Sequence, residues 1–357
     1  MNAVATITMR VKSSVENLHP AYFAMVMATG VVAIAANWFQ LRWIAVPLGL
    51  LNIVTFAVLA IMTIARVLFY SSAFWRDLTD HTRGVGFFTI VAGTGILGTE
   101  LILIFDHYTM AAVLWFASII FWTGFTYAIF TSFTVKEEKP SLADGINGGW
   151  LIAVVATQAV ANLGTWLLPE FAGYADPILF LSLALWLCGG MLYIWMISLI
   201  FYRYTFFRFQ PSDLMPPYWI NMGAMAISTL VGANLVKHAG MAPFMEGFVP
   251  FLKGFTVLFW ATATWWIPML LILALWRHVY KRFKFVYDPL YWGAVFPLGM
   301  YTVATLRLSE AMRLPFLSAI SGIFIYFAVT AWFLTFAGLV GSLAGTLRGE
   351  AGMEGLA

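Results

Sequence analysis

Ten apolar runs, separated by short polar links, dominate this sequence. They cover, within a few residues, 21–38, 43–67, 84–105, 110–133, 150–168, 178–201, 218–236, 251–276, 291–308 and 315–341. A helix rises about 1.5 Å per residue, so about 20 residues cross a hydrocarbon core about 30 Å thick. Membrane-spanning strands would instead alternate in character over roughly 10 residues. The runs therefore predict an all-α membrane protein with ten transmembrane helices. Hydrophobic residues make up 62% of the 357-residue chain and charged residues only 10%. A soluble domain carries roughly 25% charged residues, so a water-soluble enzyme and a disordered chain are both excluded. The opening run is expected to be the first span and not a signal peptide, because it is too long and lacks a small-residue cleavage pattern.

The links set the expected orientation, since Lys and Arg accumulate on the cytoplasmic side. With the N-terminus inside, fourteen of the nineteen Lys and Arg fall on inner links and five, including Lys237 and Arg307, on outer ones. That ratio predicts an inner (plasma) membrane protein with both termini in the cytoplasm. The expected organisation is a cytoplasmic segment 1–19, a membrane domain 20–341 and a cytoplasmic tail 342–357. The net charge of +3 reflects these basic links and does not point to nucleic acid. Cys188 is the single cysteine, so no intrachain disulfide can form.

Odd and even runs differ in kind. Tryptophan occupies the middle of even runs, as at Trp115, Trp122, Trp186, Trp195, Trp260, Trp265, Trp266 and Trp332, where bulky aromatics suit a lipid-facing position. Odd runs carry small and polar residues: Thr29, Gly30, Thr94, Gly95, Thr157, Gln158, Ser228, Thr229, Gly299 and Thr302. Small residues admit close backbone approach, and hydroxyls need a polar neighbour or water. The alternation predicts an inner ring of five odd helices lining a passage, surrounded by five even ones, in repeats of one hairpin each. The same small residues would also serve ordinary helix packing.

Several chemistries lack their residues. The five histidines lie at or beyond the ends of runs, and no lysine lies mid-run. Intramembrane haem or copper, a retinal Schiff base and an intramembrane protease are thus unsupported, and no metal or cofactor is expected. The letters GTGILG at 93–98 match a dinucleotide fingerprint but lie inside an apolar run, without the strand–turn–helix context. Glu100 is the deepest carboxylate and the one candidate proton site, or else an interfacial acid facing water. Lys237 and Arg307 would attract anions to the outer mouth, or would simply snorkel, with Arg307 able to pair with Glu310. In the ninth run, Phe296 precedes Pro297. Proline bends a helix, and an aromatic ring there could plug a narrow passage or pack as an ordinary core residue.

The stretch YWGAVFPLGMYTVATLRL at 291–308 resembles the ninth helix of the tellurite-resistance/dicarboxylate transporter family. That family includes the plant guard-cell slow anion channels, the yeast malate permease and the yeast sulfite efflux pump. HPAYFAMVMATG at 19–30, GGWLIAVVATQAVANLG at 148–164 and PPYWINMGAMAISTLVG at 216–232 resemble its first, fifth and seventh helices. The resemblance implies five helical hairpins with quasi-five-fold symmetry, a central pore, a homotrimer and a gating phenylalanine, which carries over to Phe296. Relatives often carry a proline early in the fifth helix, where this chain has Ala153.

The expected function is channel-like transport of a small anion through a Phe296-gated pore, the anion being a C4-dicarboxylate, sulfite, tellurite or chloride. Two alternatives stand beside it: a proton-coupled carrier using Glu100, and a membrane scaffold without transport. The partners expected are the anion, membrane lipid and copies of the same chain.

Overall fold

A computed structural model of the chain describes residues 12–348. The outer parts of the two expected cytoplasmic segments, 1–11 and 349–357, lie outside the described residues. The long helices are α1 (Ala24–Trp38), α2 (Arg42–Phe69), α3 (Phe88–Phe105), α4 (Tyr108–Val135), α5 (Ile152–Leu167), α6 (Ala175–Phe206), α7 (Ile220–His238), α8 (Val249–Leu275), α9 (Trp292–Met312) and α10 (Leu317–Arg348). Among the described residues there is no strand. Among the described residues, nine helical stretches are long and apolar enough to cross a membrane, and α9 is not one of them. Its 21 residues include Pro297, Gly293, Gly299 and Arg307. A helix enclosed by other helices touches little lipid and need not be apolar.

Every odd helix starts in the same way. A 3-10 turn runs straight into it: Pro20–Phe23, Gly84–Phe87, Gly148–Leu151, Pro216–Trp219 and Pro289–Tyr291. Proline opens three of these turns, where its missing N–H is not needed and its φ is already set. Three preceding side chains cap the turn. His19 Nδ1 accepts from the Ala21 N–H, Asn147 Oδ1 from Gly149 and Asp288 Oδ1 from Leu290. This shared start is a structural repeat that residue letters alone conceal.

Packing separates the helices into two sets. Helix α1 packs on α3, α3 on α5, α5 on α7, α7 on α9, and α9 returns to α1. Each even helix lies against the odd helix before it and touches the odd helix after it, α10 closing back onto α1. Burial follows the division: 72–94% of the spans containing α1, α3, α5 and α7 is enclosed, against 17–50% of the even spans.

Glycines stand at the closest approaches. A Cβ on Gly95 would lie 3.0 Å from the Ala159 carbonyl on α5, and one on Gly223 would lie 2.8 Å from the Pro297 ring on α9. The GTGILG letters are therefore a packing surface of α3. Gly299 similarly admits Val31 and Val32 of α1.

The expectation that even-helix tryptophans face lipid needs correction. Trp115, Trp186, Trp266 and Trp332 are buried, while Trp195 and Trp265 face outward. An indole N–H in hydrocarbon needs an acceptor; Trp266 finds it on α6, donating to the Tyr193 hydroxyl, and five other tryptophans find it on the next odd helix. Trp122 donates to Thr157 Oγ1, Trp260 to Thr305 Oγ1 and Trp332 to Thr29 Oγ1. Trp115 donates to the Val160 carbonyl and Trp186 to the Ser228 carbonyl. At the α2–α3 joint the donor is an amide: Asn52 Nδ2 donates to Glu100 Oε2.

Candidate functional site: two cavities at the ends of the odd helices

Two cavities lie at opposite ends of the odd helices. The larger, about 430 Å³, is lined by His19 and Ala21 before and in the turn leading to α1, by Gly86 of the turn into α3, and by Gly149 and Ile152 at the start of α5. Pro217 and Tyr218 ahead of α7, and Leu290 ahead of α9, complete that set. All five odd helices thus begin at one vestibule and run in parallel away from it. Their N-termini carry partial positive charge, each about half an elementary charge at low screening.

Charged side chains frame this vestibule. Arg203 Nε donates to the Ala143 carbonyl, its Nη1 to the Tyr218 hydroxyl, and it pairs with Asp213 at 3.8 Å. Arg83 pairs with Asp77 at 3.0 Å, and the same carboxylate takes buried Arg66 at 2.6 Å. Arg66 also donates to the Glu16 and Leu18 carbonyls, which ties the segment before α1 to the end of α2. Burial and the adjacent Arg83 guanidinium hold the His19 imidazole down to about 4, so it is uncharged at neutral pH.

The second cavity is far smaller, about 10 Å³, and all five odd helices line it. Val31, Ile34 and Trp38 come from α1, Ile96, Thr99 and Leu103 from α3, Asn162 and Trp166 from α5, Leu230 from α7, and Met300 and Val303 from α9. That space holds about one water, so the axis is closed here. Phe296 is fully buried. Helical spacing puts Phe296, Met300, Val303 and Arg307 on one face of α9. Phe296 therefore lies about one turn nearer the vestibule than Met300 and about two turns nearer than Val303, the two cavity-lining residues of α9.

Arg307 ends that face. Its Nε donates to Asn234 Oδ1 at 2.6 Å, and its guanidinium lies 4.8 Å from the Trp166 ring centre and 6.0 Å from that of Trp38. Asn234 Nδ2 donates to Asn162 Oδ1 and Thr165 Oγ1, and Asn162 Nδ2 donates to Thr99 Oγ1. An amide ladder thus links α9, α7, α5 and α3. Glu310 Oε2 receives both Lys237 Nζ at 2.6 Å and Arg307 Nη1 at 3.0 Å. Two cations share one carboxylate, which leaves the cluster net positive.

None of the ten residues expected along the passage lines the small cavity. Thr29 and Thr157 accept from tryptophans of α10 and α4. Thr94, Ser228, Thr229 and Thr302 hydroxyls donate to the carbonyls of Ile90, Ala224, Met225 and Leu298. Gln158 Nε2 donates to the Trp186 carbonyl. A Cβ on Gly30 would meet Asn52, Glu100 and Ile96, while Gly95 and Gly299 face neighbouring odd helices as described. Glu100 is wholly enclosed, not interfacial. The sequence reading did not single out Asn162, Asn234, Trp38 and Trp166. Two asparagines late in otherwise apolar odd runs were the available signal, since a buried amide needs partners.

A family model described as SLAC1, voltage-dependent anion channel, matches residues 17–340. An uncharacterized membrane protein of Mycobacterium tuberculosis is 39% identical over 158 residues, 44% of this chain and 79% of its own. An uncharacterized transporter of Methanocaldococcus jannaschii is 26% identical over 82% of this chain and 85% of its own. The sulfite efflux pump of Trichophyton rubrum is 21% identical over 91% of this chain and 90% of its own. The fold is a multi-pass helical membrane protein, and the archaeal and fungal relatives carry transporter names. The chain belongs to the SLAC1 family of voltage-dependent anion channels.

Proposed function

We propose that this protein carries small anions across the plasma membrane by a channel-like route along the axis of its odd helices. In this reading the ten long helices cross as five hairpins with both termini cytoplasmic. The odd helices form the inner ring, Phe296 with Pro297 is the gate, and the resemblance adds a homotrimer with one route per subunit. The observation that carries the reading is the net-positive cluster at the end of the Phe296–Met300–Val303–Arg307 face, where Arg307 is held against two rings of the cavity wall. At the other end, five helix N-termini open on the vestibule and favour anions without binding them tightly. Weak binding suits conduction, because an ion held firmly does not leave. Lys237 and Arg307 attract the anion at the outer mouth in this reading.

The fungal relatives named sulfite efflux pumps support testing sulfite first. Malate and other C4-dicarboxylates, tellurite and chloride follow. Proteoliposomes test this with a panel of these anions, with and without an imposed pH gradient. The expected result is flux that needs no pH gradient and rises several-fold in Phe296→Ala. Unchanged flux in the variant removes the gate, a requirement for a proton gradient turns the protein into a coupled carrier, and no flux of any anion removes transport.

A further inference from the structure

We infer that Glu100 and Asn52 form a proton site: a neutral acid–amide clasp joining α2 to α3. The observation is a pair of orphans. Asn52 Nδ2 donates to Glu100 Oε2 at 2.7 Å, while Glu100 Oε1 and Asn52 Oδ1 have no hydrogen-bond partner. Both side chains are fully buried. Buried polar atoms are nearly always bonded, and both orphan atoms are acceptors when the acid is ionised. One proton on Glu100 Oε1 satisfies both, because Oε1–H then donates to Asn52 Oδ1 and closes the ring that the existing bond begins. The proton comes from water and returns to it, and no other bond changes.

The surroundings favour the uncharged form. No ion pair among the described residues involves Glu100. Helices α1 and α5, both packed on α3, contain no ionisable side chain. Helix α2 contributes Arg42 at its first residue, exposed to solvent, and Arg66 in its last turn, engaged by Asp77. Helix α4 contributes only Tyr108 and Tyr127. Gly30 and Gly49 make the room: a Cβ on Gly30 would lie 2.8 Å from Glu100 Oε2, and one on Gly49 would lie 3.2 Å from Oε1. A single amide donor does not offset the lost hydration of a carboxylate. The fold repeats the same lesson. At the other four joints an even helix offers an indole N–H to a neutral acceptor on the next odd helix, and protonation makes this fifth joint neutral as well.

The clasp has a consequence for flux, which alone rests on the proposed anion route. Glu100 follows Thr99, a residue of the small cavity wall. While protonated it puts no negative charge beside the route. Once ionised it loses the closing bond and repels anions.

Infrared difference spectra of the full-length protein, wild type minus Glu100→Gln, test the proton directly. A carboxylic-acid C=O band at neutral pH in the wild type supports the clasp, and a carboxylate band alone overturns it, whether or not any anion is transported. Glutamine can close the same ring by donating Nε2–H to Asn52 Oδ1. Glu100→Gln should therefore keep the wild-type unfolding temperature while Asn52→Leu lowers it, and an equal loss in both would overturn the proposal. In vesicles at equal pH on both sides, wild-type flux should fall several-fold from neutral to alkaline pH and Glu100→Gln should lose that fall. The same alkaline fall in both proteins would overturn the flux consequence.

Discussion

An indole in hydrocarbon has one donor and no water to take it. That constraint accounts for three of the hydroxyls on the odd helices, Thr29, Thr157 and Thr305, each of which receives a tryptophan from the even helix preceding it in the ring. Interhelical hydrogen bonds in membranes contribute about 0.6–2 kcal/mol each, so the donor atom is a small part of what each tryptophan supplies. Trp186 separates the two effects: its Nε1 donates to the Ser228 carbonyl, and its ring packs edge-on to Phe259 at 5.3 Å. Trp186→Phe should cost about 1 kcal/mol, a fall of about 2–4 °C in unfolding temperature in detergent. Trp186→Ala should cost about 3–5 kcal/mol by opening a cavity. Equal losses would mean that the hydrogen bond, and not the ring, holds α6 to α7. The sequence made these positions legible as polar sites on odd helices but not the direction each faces. Thr29 and Val31 are two residues apart and look to different neighbours, α10 and the axis. An odd helix is enclosed on every side by protein, so no polar–apolar stripe marks which side meets the axis.

At the scale of the element, the odd helices are shaped by contact with each other. Gly223 of α7 meets the Pro297 ring of α9, a rigid group that cannot turn aside, with 2.8 Å between Cγ and a Cβ built at Gly223. Gly223→Ala should push α7 and α9 apart and cost about 1–3 kcal/mol as overpacking. Gly124 of α4 has nothing within 4 Å of such a Cβ. Gly124→Ala should be neutral or stabilising by up to about 1 kcal/mol, through helix propensity alone. Thermal unfolding of the two variants side by side checks the contrast, and a neutral Gly223→Ala would show that α7 and α9 are not held by this contact. Element existence and order were readable because apolar length is so strong a signal. Helix α9 shows the limit of that signal: proline, glycines and an arginine dilute its hydropathy, and only packing reveals why an enclosed helix tolerates them.

At the scale of the molecule, charge and helix direction agree. All five odd helices start at the vestibule bearing Arg83 and Arg203, and the net-positive Arg307 cluster lies in the last turns of α7 and α9, at the far end. If Lys and Arg are retained on the cytoplasmic side, the vestibule faces the cytoplasm, and an anion leaving the cell meets the five helix N-termini first. The orientation can be read with a thiol reagent that does not cross membranes, after Cys188→Ala removes the one native thiol. Arg208→Cys lies in the exposed link after α6, and Lys253→Cys is exposed near the start of α8. Intact cells should label Lys253→Cys, and Arg208→Cys should label only once the membrane is opened. The reverse pattern would put the vestibule outside, so that anions would enter where they are now expected to depart. Labelling of both sites in intact cells would mean that α7 does not cross the membrane, and the axis would then be no route between two compartments.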